Sequence, residues 1–195
     1  MADGKPQMEN ILEKGLPEPF SKRTVEGDLG MRYSLNSMVE SIDLDNSELR
    51  SDIKKEDIFQ WINRCNDNPN LIAENEQESK IEEFLARFAV KMAVERHCGI
   101  LESSFSPLGE IFSLTGKDLT RIPYIIGIGG AIINSENPEY ILKGAKYEQK
   151  KYNSMKPKQP RYMLDKKYIF ASMGLLATID PELSLHIMKK EIKQI

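Results

Sequence analysis

Long apolar runs, cysteine and tryptophan are scarce in this sequence of 195 residues. The longest uncharged apolar run, 122–133, has about 12 residues, too few for a bilayer-spanning helix of ~20 residues. The first residues, MADGKP, lack the basic start and the apolar stretch of a signal peptide. The two cysteines, Cys65 and Cys98, have no CxxC spacing and favour a reducing compartment over a disulfide framework. We therefore expect a cytoplasmic protein that does not associate with a membrane.

Neither sign of charge dominates the whole chain, whose net charge is −3. This small negative charge gives no general attraction to nucleic acid. Apolar residues make up 40% and charged residues 29%, as in an ordinary globular protein. The charges are unevenly distributed: residues 40–83 have 13 acidic and 5 basic side chains, whereas residues 145–167 have eight basic and two acidic ones. Either region could be a docking surface for a protein partner.

The familiar phosphate-binding loops are also absent. The stretch IPYIIGIGGAII, residues 122–133, places Gly127, Gly129 and Gly130 directly after an apolar segment. The dinucleotide fingerprint GxGxxG requires glycine at position 132, where the chain has Ile132, and no GxxxxGK[ST] motif occurs. Two interpretations remain for the glycines. They form a simple strand-to-helix turn, or their bare backbone packs against the flat face of a base or sugar.

Six helices are predicted from apolar periodicity and from capping residues. The longest spans residues 76–98 and ends at Gly99, which we expect to adopt a left-handed conformation. The other five are predicted to begin at residues of the types that cap helices: Ser34, Asp52, Asn137, Asp165 and Asp180. Proline follows two of these, in the first helical position, and strengthens the prediction there.

Few strands are predicted. Residues 122–126 are apolar and β-branched, as expected for a strand buried on both faces. Residues 100–121 are predicted to be a loop with a short strand at 110–114, and residues 146–164 an exposed basic loop. Residues 1–24 contain three prolines and are predicted to be extended or irregular. The fold class is therefore α/β and rich in helix.

A second group of charged residues lies in RTVEGDLGMR, residues 23–32. Glu26 and Asp28 could hold a hydrated metal ion, and Arg32 could bind a phosphate. Alternatively, this stretch is a turn in which the two acids pair with Arg23 and Arg32. The spacing alone favours the turn.

No catalytic residue and no metal site are predicted. His97 and Cys98 are neighbours on a helix, so their side chains point apart and do not form a metal site. Near the end of a helix, His97 is better placed to meet the free carbonyl groups. The spacing suggests neither a serine–histidine–aspartate nor a cysteine–histidine arrangement.

Five segments together resemble a known protein family: GLPEPFSKRTVEGDLGMR, ERHCG, GKDLTRIPYIIGIGGAI, the loop rich in proline and lysine, and LDKKYIFASMGLLA. From about Gly4 to its C-terminus, the chain is similar to the MutL/GlmL-type accessory proteins of adenosylcobalamin-dependent mutases such as glutamate mutase. This resemblance implies the C-terminal portion of an actin-like ATPase fold. The implied function is ATP-dependent reactivation of a mutase by exchange of damaged cobalamin. The implied partners are the mutase subunits, and the implied cofactor of the parent protein is ATP or ADP with Mg²⁺.

The resemblance also implies which residues meet the nucleotide. Gly127, Gly129 and Gly130 match the glycine turn that lies against the adenosine in actin-like ATPases. Lys91 and Glu95 lie on a helix from which members of that superfamily reach toward the adenosine. The two phosphate-binding hairpins of the superfamily are not found in this sequence. We therefore expect the chain alone to hydrolyse no ATP and to hold no nucleotide tightly.

The resulting division has three parts: an extended or irregular segment, 1–24, a helical lobe, 25–121, and an adenosine-side α/β lobe, 122–195. A portion of a larger fold exposes some of its core, so self-association is also expected. The alternative hypothesis is a stand-alone helical protein-interaction module without a nucleotide site. A sugar- or acetate-kinase-like enzyme is a third hypothesis, disfavoured because its phosphate loops are not seen.

Overall fold

Two small sheets and seven α-helices form the described part of the chain in a computed structural model. The structure describes residues 11–42, 44, 49–107 and 109–195, so the predictions for residues 1–10 and for the acidic residues at 43, 45 and 48 lie outside it. The strands are β1 (Ile11–Lys14), β2 (Ile100–Ser106), β3 (Gly109–Thr115), β4 (Tyr124–Gly127), β5 (Arg161–Leu164) and β6 (Lys193–Gln194). The helices are α1 (Leu35–Glu40), α2 (Lys55–Asp67), α3 (Glu76–His97), α4 (Gly130–Ile133), α5 (Pro138–Leu142), α6 (Phe170–Leu176) and α7 (Pro181–Glu191).

The mixed α/β class is confirmed, with seven described helices instead of the six predicted. The additional helix is α4, which has only four residues and is too short to produce apolar periodicity. No helix within the described ranges has the length and the apolar character needed to cross a bilayer.

The main hydrophobic core of the described residues lies between α1, α2 and the first half of α3. Leu35 on α1 and Ile58 on α2 are fully buried, as their periodicity predicts. Trp61 adds the largest side chain of this core and is 2% exposed. Burial of side chains of this size stabilises the fold by roughly 1.5–3 kcal/mol each. These three helices therefore share a well-packed centre.

The start of α2 differs from the prediction, because Asp52 does not cap it. Both carboxylate oxygens of Asp52 accept hydrogen bonds from Arg50, at 2.9 and 2.8 Å. The helix begins at Lys55, and Lys54 occupies the N-cap position. A bidentate pair with a nearby guanidinium has replaced the cap, and it lowers the pKa of the Asp52 carboxyl.

The start of α3 has a capping residue of the kind that the sequence favours at helix starts. The side chain of Asn75 caps the helix by accepting a hydrogen bond from the backbone N–H of Glu78, at 3.0 Å. The predicted left-handed end at Gly99 is wrong, since α3 ends at His97, the following Cys98 is extended, and the φ of Gly99 is not positive. A Cβ on Gly99 would lie 2.9 Å from the carbonyl oxygen of Lys117. Gly99 is thus required by the close approach of two chain segments.

The first sheet has the order β1-β3-β2, with β1 parallel and β2 antiparallel to β3. The predicted strand at 110–114 is confirmed within β3. The loop predicted over the rest of 100–121 is partly wrong, because residues 100–106 form β2. The serine-rich sequence of β2 has no apolar alternation, and its pairing with β3 determines its conformation.

The second sheet has the order β4-β5-β6, with β4 parallel and β6 antiparallel to β5. The prediction that 122–126 is buried on both faces is wrong. Ile125 packs against Tyr162 and Leu164 on one face, whereas Tyr124 and Ile126 are 45% and 39% exposed on the other. The reason is the position of β4 at the edge of a small sheet that is covered on one face.

The segment predicted to be an exposed basic loop, 146–164, is largely anchored. Its last four residues form β5, and Lys156 is only 1% exposed. The ammonium group of Lys156 donates a hydrogen bond to the carbonyl oxygen of Gly144, at 2.9 Å. It also lies 3.6 Å from a carboxylate oxygen of Glu95 on α3. Burial lowers the pKa of Lys156, and the neighbouring carboxylate opposes that effect.

Candidate functional site at the glycine turn

The glycine turn joins β4 to α4. Gly127 ends the ladder with β5, and its carbonyl oxygen accepts a hydrogen bond from the backbone N–H of Asp165, at 3.0 Å. Gly129 then reverses the chain with φ +109° and ψ 148°, a conformation that is essentially restricted to glycine. Helix α4 starts at Gly130. The strand-to-helix turn predicted from the sequence is therefore present.

Gly127 is required for packing inside the lobe. A Cβ at this position would lie 2.9 Å from a methyl carbon of Ile132 and 3.0 Å from both δ carbons of Leu142. The missing side chain lets α4 and α5 approach the end of β4. This glycine has a structural reason that needs no ligand.

Gly129 has a different environment, since a Cβ there would meet no atom within 4 Å among the described residues. Its backbone therefore borders open space. A Cβ on Gly130 would make ordinary contacts, 3.7 Å from the hydroxyl of Tyr168 and from the amide nitrogen of Asn134. Of the three glycines, Gly129 is the one at which a planar group can approach the main chain.

Apolar and aromatic side chains lie beside this open backbone. Ile128, within the turn, is 42% exposed, and Tyr168, near Gly130, is 50% exposed. Tyr168 has φ +53°, a value that is unusual for a bulky residue and that occurs at no other described non-glycine position. Strained backbone of this kind is often retained at binding sites. Tyr168 was not a candidate from the sequence, since no local pattern signals a positive φ at tyrosine.

Asp165 holds the segment that carries Tyr168. Its buried carboxylate accepts hydrogen bonds from the backbone N–H groups of Ile169, at 3.1 Å, and Phe170, at 3.0 Å. Asp165 thus binds the backbone N–H groups at the start of α6, as a capping residue does, although the helix begins only at Phe170. The same residue binds Gly127 through its backbone and the helix through its side chain, so the two sides of the turn are fixed together.

The structure does not bring Lys91 or Glu95 into contact with the glycines among the described residues. Lys91 is 7% exposed, and its ammonium nitrogen lies 3.3 Å from a carboxylate oxygen of Glu148. Glu95 pairs with Lys151 at 2.6 Å and with the buried Lys156. Both side chains of α3 that the resemblance implicates are held by the segment 148–156.

A continuous set of contacts nevertheless connects the glycine turn with that part of α3. The side chain of Leu142 fills the space that a Cβ on Gly127 would enter, and Gly144 follows two residues later. A Cβ on Gly144 would lie 3.2 Å from the backbone nitrogen of Lys91 and would collide with the carbonyl oxygen of Arg87. The chain between 142 and 144 therefore packs directly between the turn and α3.

Glu83 provides a second connection, which the sequence did not indicate. Its carboxylate is 4% exposed and accepts hydrogen bonds from the Ser135 hydroxyl, at 2.6 Å, and the Asn137 backbone N–H, at 3.0 Å. These partners follow α4 and precede α5. Because its partners lie more than 50 residues away, no local pattern could have identified this contact.

The acids of residues 23–32 form a different contact from the predicted one. Glu26 and Asp28 both pair with Arg96, at 2.7 Å, and not with Arg23 or Arg32. Hydrogen bonding from Arg96 lowers the pKa of the Asp28 carboxyl.

Arg32, in turn, binds Glu82 on α3 at 2.5 Å and the backbone carbonyl of Leu71 at 3.0 Å. Its guanidinium is therefore engaged by α3 and by the segment that precedes it. Across the described residues, no group of histidine, cysteine, aspartate and glutamate side chains has the arrangement of a metal site. Residues 26–32 thus attach the N-terminal part of the chain to α3.

Known proteins provide the remaining observations on this chain. A family model described as "MutL protein" matches residues 1–192. The chain is similar to "Protein MutL" of Clostridium tetanomorphum, with 39% identity over 195 residues, which are 100% of this chain and 42% of that protein. The chain thus spans less than half the length of the curated relative it matches. No solved structure matches the chain. Since the family model covers almost all of its length, the chain belongs to the MutL protein family.

Proposed function

We propose that this chain is the adenosine side of a nucleotide cleft in a protein that reactivates an adenosylcobalamin-dependent mutase. In this proposal the parent protein has an actin-like ATPase fold and promotes exchange of damaged cobalamin, using ATP or ADP with Mg²⁺. The proposal is carried by the open backbone at Gly129, which follows an exposed strand and lies beside an aromatic side chain. Membership of the MutL family supports the choice of a mutase as the partner.

The chemistry of the turn fits a nucleoside better than a phosphate. Ile128 and Tyr168 offer apolar and aromatic surfaces, which favour contact with the face of a planar ring. The bare main chain of Gly129 lets such a ring approach closely, because no Cβ intervenes. Phosphate binding would require hairpins rich in backbone N–H groups, and the sequence has no such motif. The triphosphate and Mg²⁺ are accordingly assigned to the remainder of the parent protein.

Lys91 and Glu95 have a modified role in this proposal. Both are engaged by the segment 148–156, so contact with a nucleoside requires them to exchange a partner. The backbone of Lys91 packs against Gly144, and Lys156 connects Glu95 with the carbonyl oxygen of Gly144, so both residues are linked to the packed segment 142–144. A nucleotide in the cleft would therefore bias the position of segment 148–156, and with it the surface offered to the mutase.

Binding of the mutase tests the proposal. The purified chain is titrated with glutamate mutase subunits by calorimetry, in buffer, with ADP and with ATP. We expect a complex whose dissociation constant changes when an adenine nucleotide is present. A complex that does not respond to nucleotide would favour the helical interaction module, and the absence of any complex would contradict the partner assignment.

Turnover of ATP by the chain alone is a separate control in the same experiment. We expect none, because the phosphate-binding hairpins are not present in this sequence. Release of phosphate by the purified chain would show that the phosphate site had been placed in the wrong part of the protein.

A further inference from the structure

Two polar side chains converge beside the open backbone of the glycine turn. A Cβ on Gly130 would lie 3.7 Å from the amide nitrogen of Asn134 and 3.7 Å from the hydroxyl of Tyr168, so both groups border the same space. Within the described ranges, neither side chain forms a hydrogen bond to another residue. Both groups are therefore available to a ligand that lies against the turn.

The main chain that carries the Asn134 amide is held on both sides. The backbone N–H of Asn134 donates a hydrogen bond to the carbonyl oxygen of Gly130, at 3.1 Å, at the end of α4. The next residue, Ser135, donates its hydroxyl to the buried carboxylate of Glu83, at 2.6 Å. The amide itself is exposed. Because its main chain is already fixed, the amide loses little conformational freedom when it binds a ligand.

The chemistry of this amide suits the edge of a base. An asparagine side chain has an acceptor oxygen beside an N–H donor. Adenine has the matching pattern, since its exocyclic amino group is a donor that adjoins a ring nitrogen acceptor. Asparagine pairs with such an edge through two hydrogen bonds, which typically discriminate between bases by about 1–3 kcal/mol. A charged side chain lacks one half of this pattern, and the turn offers none at this point.

We propose that Asn134 is a specificity-determining residue that selects adenine. Its amide oxygen accepts a hydrogen bond from the exocyclic amino group, and its amide N–H donates to the adjoining ring nitrogen. This inference rests on the proposed nucleoside site, to which it adds the choice of base. The main chain at Gly129 meets the face of the base, the ring of Tyr168 lies beside it, and Asn134 reads its edge.

Binding of two nucleosides that differ in one group tests the proposal. Adenosine and purine riboside, which lacks only the exocyclic amino group, are each titrated into the purified chain and followed by protein NMR. The wild type should bind adenosine at least about tenfold more tightly. Asn134→Leu has a side chain of similar size without a donor or acceptor, and it should reduce this preference to less than about threefold. Both ligands are measured on each variant, so partial unfolding weakens both alike and leaves the ratio unchanged.

Two further variants assign the preference to Asn134. Asn63→Leu makes the same exchange at an exposed position of α2 and should keep the preference of the wild type. Tyr168→Phe removes only the hydroxyl that borders the same space. It should change the affinities for both nucleosides by the same factor, because the proposal gives this hydroxyl no contact with the amino group.

Three results would overturn the proposal while adenosine still binds at the turn and the nucleoside site stands. The first is equal affinity of the wild type for the two nucleosides. The second is a preference that survives Asn134→Leu. The third is a preference lost with Tyr168→Phe but kept with Asn134→Leu, which would assign the selection to the tyrosine hydroxyl. Failure of the wild type to bind either nucleoside would contradict the proposed site itself, and this inference with it.

Discussion

The carboxylate of Glu83 on α3 accepts a hydrogen bond from the backbone N–H of Asn137, at 3.0 Å. Helix α3 and the segment between α4 and α5 thus meet through a buried acid. The same carboxylate binds the Ser135 hydroxyl, so it satisfies two donors at the start of α5. Movement of the segment that follows the glycine turn must therefore be transmitted to the middle of α3, or must break these bonds.

Replacing Glu83 with alanine should destabilise the chain by roughly 1–3 kcal/mol, because buried donors at Ser135 and Asn137 would lose their acceptor. Urea unfolding of both proteins measures the change in the free energy of unfolding. Glu139→Ala is the matched control, since Glu139 pairs with Lys143 at the exposed surface and its removal should cost well under about 1 kcal/mol. Equal effects of the two substitutions would contradict the role assigned to Glu83.

Among the glycines between the turn and α3, Gly144 should tolerate substitution by a larger residue least. A Cβ would collide with the backbone oxygen of Arg87, which cannot move without displacing α3. Gly144→Ala should therefore cost about 1–3 kcal/mol of the free energy of unfolding, as overpacking does elsewhere.

The control for this substitution is Gly174→Ala within α6. A Cβ at Gly174 meets nothing within 4 Å, and alanine favours a helix by about 0.8–1.0 kcal/mol over glycine. The control should be neutral or stabilising. A chain that tolerates Gly144→Ala as well as Gly174→Ala would show that 142–144 do not pack tightly against α3.

Acidification should weaken the fold through His97. Burial, with further contributions from Lys22 and Lys117, lowers the pKa of His97 below its ordinary value of 6.5. The carboxylates of Glu18 and Glu26 oppose this shift. The unfolded chain therefore binds a proton at a higher pH than the folded chain does. Stability falls as the pH drops from about 6.5 through the folded pKa, and the full penalty is present below it.

Thermal unfolding at pH 7.5 and 5.5 measures this effect. His97→Gln should lose less stability than the wild type between the two pH values. Changes from carboxylate titration are common to both proteins and cancel in the comparison. His186→Gln, on the exposed surface of α7, should behave as the wild type does. The prediction fails if the stability of His97→Gln has the same pH dependence as that of the wild type.

Local patterns predicted the helices well. The stripe beginning at Leu35, the cap at Asp180 and the long helix α3 all depend on residues within a few positions of one another. The turn at Gly127–Gly130 was predicted for the same reason. The sequence was misleading at Asp52, where the neighbouring Arg50 replaced the cap, and at positions where a distant partner decided the outcome.

Lys156 illustrates such a partner. It belongs to a segment rich in basic residues, whose composition predicts a solvated loop. Glu95 on α3, however, provides the opposite charge that allows the burial of Lys156. Gly99 likewise owes its identity to the approach of Lys117. The role of Glu83 could not be predicted, since it depends on where the chain places residues 50 or more positions away. The role of Tyr168 could not be predicted either, since it depends on a backbone angle without a sequence signal.

The most direct test of the account is equilibrium binding of adenosine to the purified chain, followed by protein NMR. Adenosine is used because the phosphate-binding elements are not in this sequence. Gly129→Ala should weaken binding at least about tenfold, which corresponds to 1.4 kcal/mol, because a Cβ would enter the space assigned to the base or sugar. Gly109→Ala is the matched control: Gly109 also has positive φ, +121°, and open space at its Cβ, but it is the first residue of β3, in the other sheet. The account predicts shifts at residues 127–130 and 168 that are lost with Gly129→Ala and kept with Gly109→Ala. Equal binding by both variants, or no shift at these residues in the wild type, would contradict the account.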